Sequence, residues 1–135
     1  MSRKTLTIAL MDPPYESNNT PTAMRVIDAA IRKGHNVNVF AFEGAVSLTL
    51  KGQAPHPDPV KGTTVEQQQH PTPKDWAAAL MKSVTGDQKL EWINCGLCVD
   101  ERGAGDWIDG CRRGSPADFL KWADASAQTL VIATR

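Results

Sequence analysis

Cys95-Gly96-Leu97-Cys98 is the pattern in this chain whose residue types and spacing point most directly to chemistry. A cysteine at a strand end that enters a helix N-terminus has backbone N–H groups and the helix dipole aimed at its sulfur, and both favour the thiolate over the thiol. The thiolate is the nucleophilic form. Gly96 leaves room for a second sulfur-bearing group beside Cys95, and Cys98 is close enough to resolve an intermediate formed there. Arg102, four residues after Cys98, adds a positive charge if the segment is helical, whereas Asp100 and Glu101 act the other way if they face the sulfur.

Other uses of the same pair fit less well. Structural zinc wants four ligands, usually from a second C-x-x-C or an H-x₃₋₅-H, and only Cys111 and the scattered His35, His56 and His70 remain. A thioredoxin-type oxidoreductase places its C-x-x-C after an early strand, and this one follows the third. Cys111, beside Arg112-Arg113, reads as a packing residue. His35 reads as a polar strand-start residue, and His56 and His70 reach a site only if the loop that holds them folds over it. Tyr15 is a candidate hydrogen-bond donor to a bound sulfur species, or an aromatic anchor for its own loop. Trp76, Trp92, Trp107 and Trp122 stand singly and read as core or interface residues. Lys51-Gly52 and Gly103-Ala104-Gly105 do not match a phosphate loop, and no strand-linked G-x-G-x-x-G is present, so no cofactor and no metal are expected.

The elements that must position these residues follow from the apolar pattern. Leu6 to Met11 is a short buried-strand run stopped by Pro13-Pro14. Ala23, Ile27, Ala30 and Ile31 recur at helical spacing from Thr20 to Lys33-Gly34, and His35 to Phe42 alternates as a second strand. A short helix is expected from Glu43 to Leu50. Gly52 to Pro73 holds five of the nine prolines and Gln67-Gln68-Gln69, and reads as a long surface loop without a regular element. Lys74 to Val84 returns to helical spacing, Lys89 to Asn94 is a third strand ending on Cys95, and a short helical stretch follows. A weak strand or turn is expected around Trp107 to Cys111, then a helix from Ser115 to Ser126 capped by Ser115-Pro116, and a last strand from Thr129 to Ala133.

Repeated alternation of strand and helix predicts a single domain over 1–135 of the three-layer α/β/α type, doubly wound, with about five mainly parallel strands in a Rossmann-like topology. In such sheets ligands gather at the carboxyl ends of the strands. The loops there run from Asp12 to Asn19 and from Cys95 to Gly103. The 135 residues are 41% hydrophobic and 22% charged, which suits one ordinary core and argues against wholesale disorder. Fifteen basic residues balance fifteen acidic ones, so direct nucleic-acid or anionic-membrane binding is not expected. Three cysteines are too few for a disulfide scaffold, and the apolar run near Met1 is too short for a signal peptide or a spanning helix, so a cytoplasmic, reducing location is expected.

These features resemble the DsrE/TusD-like (DsrE/DsrF-like) sulfur-relay family. The likeness runs through Pro14-Tyr15, Ala29-Ala30, Lys33-Gly34-His35-Asn36-Val37, Phe42-Glu43-Gly44-Ala45-Val46 and Lys51-Gly52-Gln53. It continues through Cys95-Gly96-Leu97-Cys98 to Arg102-Gly103 and Gly110. The resemblance implies a persulfide carrier or sulfurtransferase that passes sulfane sulfur between donor and acceptor proteins, a TusA-like carrier among them. It also implies assembly into homotrimers or homohexamers, or a mixed complex. Cys95 matches the sulfur-carrying cysteine of the family and Cys98 a second cysteine found in some branches, with Gly96, Arg102 and Tyr15 in support. Cys98 then either attacks the Cys95 persulfide or hydrogen-bonds to it, and the resemblance does not choose. The stretch from Ala54 to Thr72 is longer than the usual connection. Two other readings stand beside the carrier: an assembly or regulatory subunit of the same fold, and a thiol redox or metal-binding module built on Cys95-x-x-Cys98.

Overall fold

A computed structural model describes residues 2–68 and 71–134. Its elements are β1 (Thr5–Leu10), α1 (Asn19–Arg32), β2 (Asn36–Ala41), a 3₁₀ helix (Glu43–Thr49), α2 (Val65–Gln68), α3 (Pro73–Lys82), β3 (Leu90–Cys95), α4 (Gly96–Arg102), β4 (Cys111–Gly114), α5 (Pro116–Ala125) and β5 (Gln128–Ile132). The strands form one sheet in the order β4-β3-β2-β1-β5, and every pairing is parallel. Helices cover both faces, so the fold is the doubly wound α/β sandwich expected.

The parallel register sorts side chains by face. Ile8 pairs with Val39, and Val39 with Trp92. These residues pack with Met24, Ile27 and Ile31 of α1 and Ala77 and Leu80 of α3 into the larger cluster. Phe40 pairs with Ile93 on the other face, where Val46, Cys95 and Val99 are buried with them and Phe119 and Trp122 of α5 pack from the side. α1 lays Ala23, Met24, Ile27, Ala30 and Ile31 along one stripe, the i, i+3, i+4 spacing of an amphipathic helix. It ends in a Schellman turn: His35 N–H donates to the Ala30 carbonyl and Gly34 N–H to that of Ile31, with Gly34 at φ 87°.

Two sequence expectations need correction. The fourth strand lies at Cys111–Gly114, downstream of the Trp107–Cys111 stretch expected. Trp107 and Ile108 are half-buried and fold inward from the preceding loop, Trp107 bridging to Leu50, so their apolarity reflects loop packing rather than a strand. The proline-rich stretch is not free of regular structure either. It holds the single helical turn α2 and a bridge between Asp58 and Thr63. None of the four α2 residues is buried, so the turn leaves no apolar period in the sequence. Of the tryptophans, Trp92 is fully buried, while Trp76, Trp107 and Trp122 pack at the rims of the two clusters.

Candidate functional site

Cys95 is the last residue of β3 and the N-cap of α4, which makes Cys98 the third helical residue. N-cap and N3 side chains are the pair that meet in a capping box, because the first turn brings them to the same side of the helix start. Here both are cysteines. Neither is in a disulfide. Cys95 is 4% exposed, packed among Phe40, Val46, Ile93 and Val99, while Cys98 is half-buried and Leu97 between them is 67% exposed.

Three further side chains complete the group. Glu43 opens the 3₁₀ helix with φ at 52°, an unusual value for a residue with a Cβ, and its N–H donates to Cys98 Sγ at 3.1 Å. Arg102 donates to the Glu43 carboxylate at 2.9 Å and to the Cys98 carbonyl at 3.3 Å, tying the end of β2 to α4. Arg113 of β4 makes a two-pronged pair with Asp100 at 3.0 and 2.7 Å. Its side chain lies directly against Gly96, where an added Cβ would stand 2.5 Å from Arg113 Nε. A side chain at position 96 would push that guanidinium aside.

Burial pushes the Cys98 thiol above its ordinary range. The Glu43 N–H pulls the other way, and the Cys95 thiol and the Glu43 carboxylate add to the rise. Asp100 holds Arg113 above its usual range, and a smaller attraction toward Cys95 acts in the same direction. The Arg113 guanidinium, paired with Asp100, thus lies against the first residue of α4.

Cys95, Gly96, Cys98 and Arg102 are thus brought together. Tyr15 sits elsewhere. It has φ 67°, stands edge-on to His56 with ring centroids 5.3 Å apart, and lines a separate cavity of about 440 Å³ with Pro21, Pro71, Pro73 and Trp76. The long loop does fold back, but onto the β1 loop. Cys111 pairs with Trp92 and packs in the cluster on the face opposite Cys95; burial raises its thiol to about 11. His35 accepts a hydrogen bond from the Lys4 N–H at the start of its strand, and His70 lies outside the described residues. Among the described residues, no three histidine, cysteine or acidic side chains cluster as a metal site would require.

Glu43 and Arg113 were invisible as site residues in the sequence. Glu43 reaches the pair through a backbone N–H, which any residue type carries. Arg113 arrives because β4 pairs with β3 in the register Asn94–Arg113 and Cys95–Gly114. The only signal was a basic pair beside Cys111.

Sheet order, strand direction and a pair of cysteines at the carboxyl edge define a small α/β protein with its candidate site at the carboxyl ends of β2 and β3. The chain belongs to the DsrE/DsrF-like family, whose model matches residues 4–132. An uncharacterized protein of Methanopyrus kandleri is 27% identical over 123 residues, covering 90% of this chain and 88% of that one. The crystal structure of the ychN protein from E. coli superposes with a TM-score of 0.68 at 21% identity, covering 96% of this chain and 99% of that one, and shares the fold. Membership of the family suggests a role of the sulfur-relay type. No helix among the described residues is long and apolar enough to cross a membrane.

Proposed function

We propose that this protein accepts sulfane sulfur as a persulfide on Cys95 and passes it to an acceptor thiol. The observation that carries the reading is the placement of Cys95 at the end of β3 and the start of α4, with a second thiol at N3 and Arg113 over Gly96. A thiolate there attacks the terminal sulfur of a donor persulfide, the donor thiol leaves, and an acceptor thiolate later takes the outer sulfur by the same exchange. Burial of Cys95 shields the bound sulfur from bulk thiols. Exposed Leu97 beside it offers an apolar contact for a docking donor or acceptor, such as a TusA-like carrier.

Assembly into a homotrimer or homohexamer in the cytoplasm belongs to the same reading. It is supported by the exposed Leu120, Leu130 and Val131 on α5 and the edge strand β5, where no α5 residue is buried. One observation favours a second reading, a subunit that assembles but moves no sulfur: Cys95 is only 4% exposed. Loading a Cys98→Ser chain with a sulfane-sulfur donor separates the two. The carrier gains about 32 Da per sulfur on Cys95, lost on reduction, and the assembly subunit gains nothing.

A further inference from the structure

We propose that this site also discharges its cargo: Cys98 attacks a persulfide on Cys95, releases sulfide and closes a Cys95–Cys98 disulfide. The inference rests on the reading of Cys95 as the carrier and assigns the second thiol a reaction of its own.

Four observations carry it. First, the two thiols share the first turn of α4, one at the N-cap and one at N3. Residues three apart on a helix stand about 5–6 Å apart at Cβ, a short closure from the ~4 Å of a disulfide. Second, Cys98 Sγ is held in place by the Glu43 N–H at 3.1 Å, and Arg102 fixes Glu43 to the Cys98 carbonyl, so the attacking sulfur is oriented from two elements. That N–H also stabilises the Cys98 thiolate that must form. Third, Cys95 is buried among Phe40, Val46, Ile93 and Val99, so the thiol with the shortest path to its inner sulfur is internal. Fourth, Cys111 lies on the opposite face of the sheet and does not compete.

The step balances without an outside oxidant. Cys98 thiolate attacks Cys95 Sγ, the bond between Cys95 Sγ and the outer sulfur breaks, and the outer sulfur leaves with the electron pair as hydrosulfide. A new S–S bond joins the cysteines. The Cys98 sulfur is oxidised, the departing sulfur is reduced, and the proton given up by Cys98 goes to solvent. A dithiol reductant then restores both thiols. The guanidinium of Arg113 lies against Gly96, the residue next to Cys95. Transfer to an acceptor and release as sulfide thus compete for one persulfide.

The test uses Cys111→Ser protein, with Cys95 and Cys98 intact, and the same protein carrying Cys98→Ser or Cys98→Ala. Each receives one equivalent of glutathione persulfide without oxygen, and sulfide and intact mass are followed. The parent should release close to one sulfide per loaded chain and finish about 2 Da lighter than its reduced form, with residues 95 and 98 linked in a non-reducing peptide map. Both Cys98 variants should keep the added sulfur on Cys95 and release sulfide at least tenfold more slowly. Because they meet the same free glutathione, they also measure discharge by an external thiol. A parent that holds its sulfur and releases no sulfide overturns the proposal and leaves the carrier standing. Equal release with and without Cys98 also overturns it. Failure of every form to take up sulfur overturns the carrier reading, and this inference with it.

Discussion

The N–H of Glu43 donates to Cys98 Sγ at 3.1 Å, joining the end of β2 to the helix that follows β3. That contact makes the C-x-x-C pair a feature of the tertiary fold rather than of one loop. It also places a carboxylate near the second thiol, and Arg102 sits on that carboxylate at 2.9 Å.

The charge balance at Cys98 is testable by pH. Glu43→Gln removes a negative charge that raises the Cys98 thiol, so in a Cys95→Ser Cys111→Ser background the midpoint of Cys98 alkylation should move to lower pH. Arg102→Ala leaves the carboxylate uncompensated and should move the midpoint up. Both shifts should be small, because Glu43 and Arg102 are part-exposed. Iodoacetamide rates from pH 7 to 10 read both, and shifts in the reverse order would refute the arrangement.

Gly96→Ala should cost less than about 1 kcal/mol, because the three atoms nearest the new Cβ, all within 2.8 Å, belong to the half-exposed end of Arg113, which can swing aside at the expense of its pair with Asp100. In an Arg113→Ala background the cost should fall to near zero, since the obstructing side chain is gone. Urea unfolding of the four proteins gives the coupling. An equal cost in both backgrounds would mean that Arg113 does not lie there.

Cys111 gives a prediction at alkaline pH. Its thiol is raised by burial from about 9 to about 11, so the folded chain holds that proton more tightly than the unfolded one. The contribution to stability is present in full below pH 9 and is lost as pH rises toward 11. Cys111→Ala should flatten the fall in urea midpoint between pH 9 and 11. An unchanged slope would contradict the burial of that thiol.

The parts of the fold legible in the sequence are those with a period. α1 announces itself through Ala23, Ile27, Ala30 and Ile31, and β1 to β3 through short β-rich runs, because their side chains are sorted by burial. β4 is Cys111-Arg112-Arg113-Gly114 at a sheet edge with little to bury, so its composition resembles a turn, whereas Trp107 and Ile108 carry the apolarity of a strand without being one. The same holds at the site. Cys95, Cys98, Gly96 and Arg102 are one contiguous block and could be read together. Glu43 and Arg113 act through a backbone N–H and a strand register, neither of which is written in residue type. The Tyr15 loop also lies at the carboxyl edge, which is all that residue order conveys, whereas the structure turns Tyr15 to His56 and a different cavity.

The most direct test of the central claim is intact-mass measurement after loading with a sulfane-sulfur donor, comparing the wild-type chain, Cys95→Ser and Cys98→Ser, followed by peptide mapping. Sulfur on Cys95, visible as about 32 Da and stabilised in Cys98→Ser, absent from Cys95→Ser and removed by reduction, is the predicted result. Undiminished loading of Cys95→Ser, or no loading of any form while the protein still assembles, would contradict it.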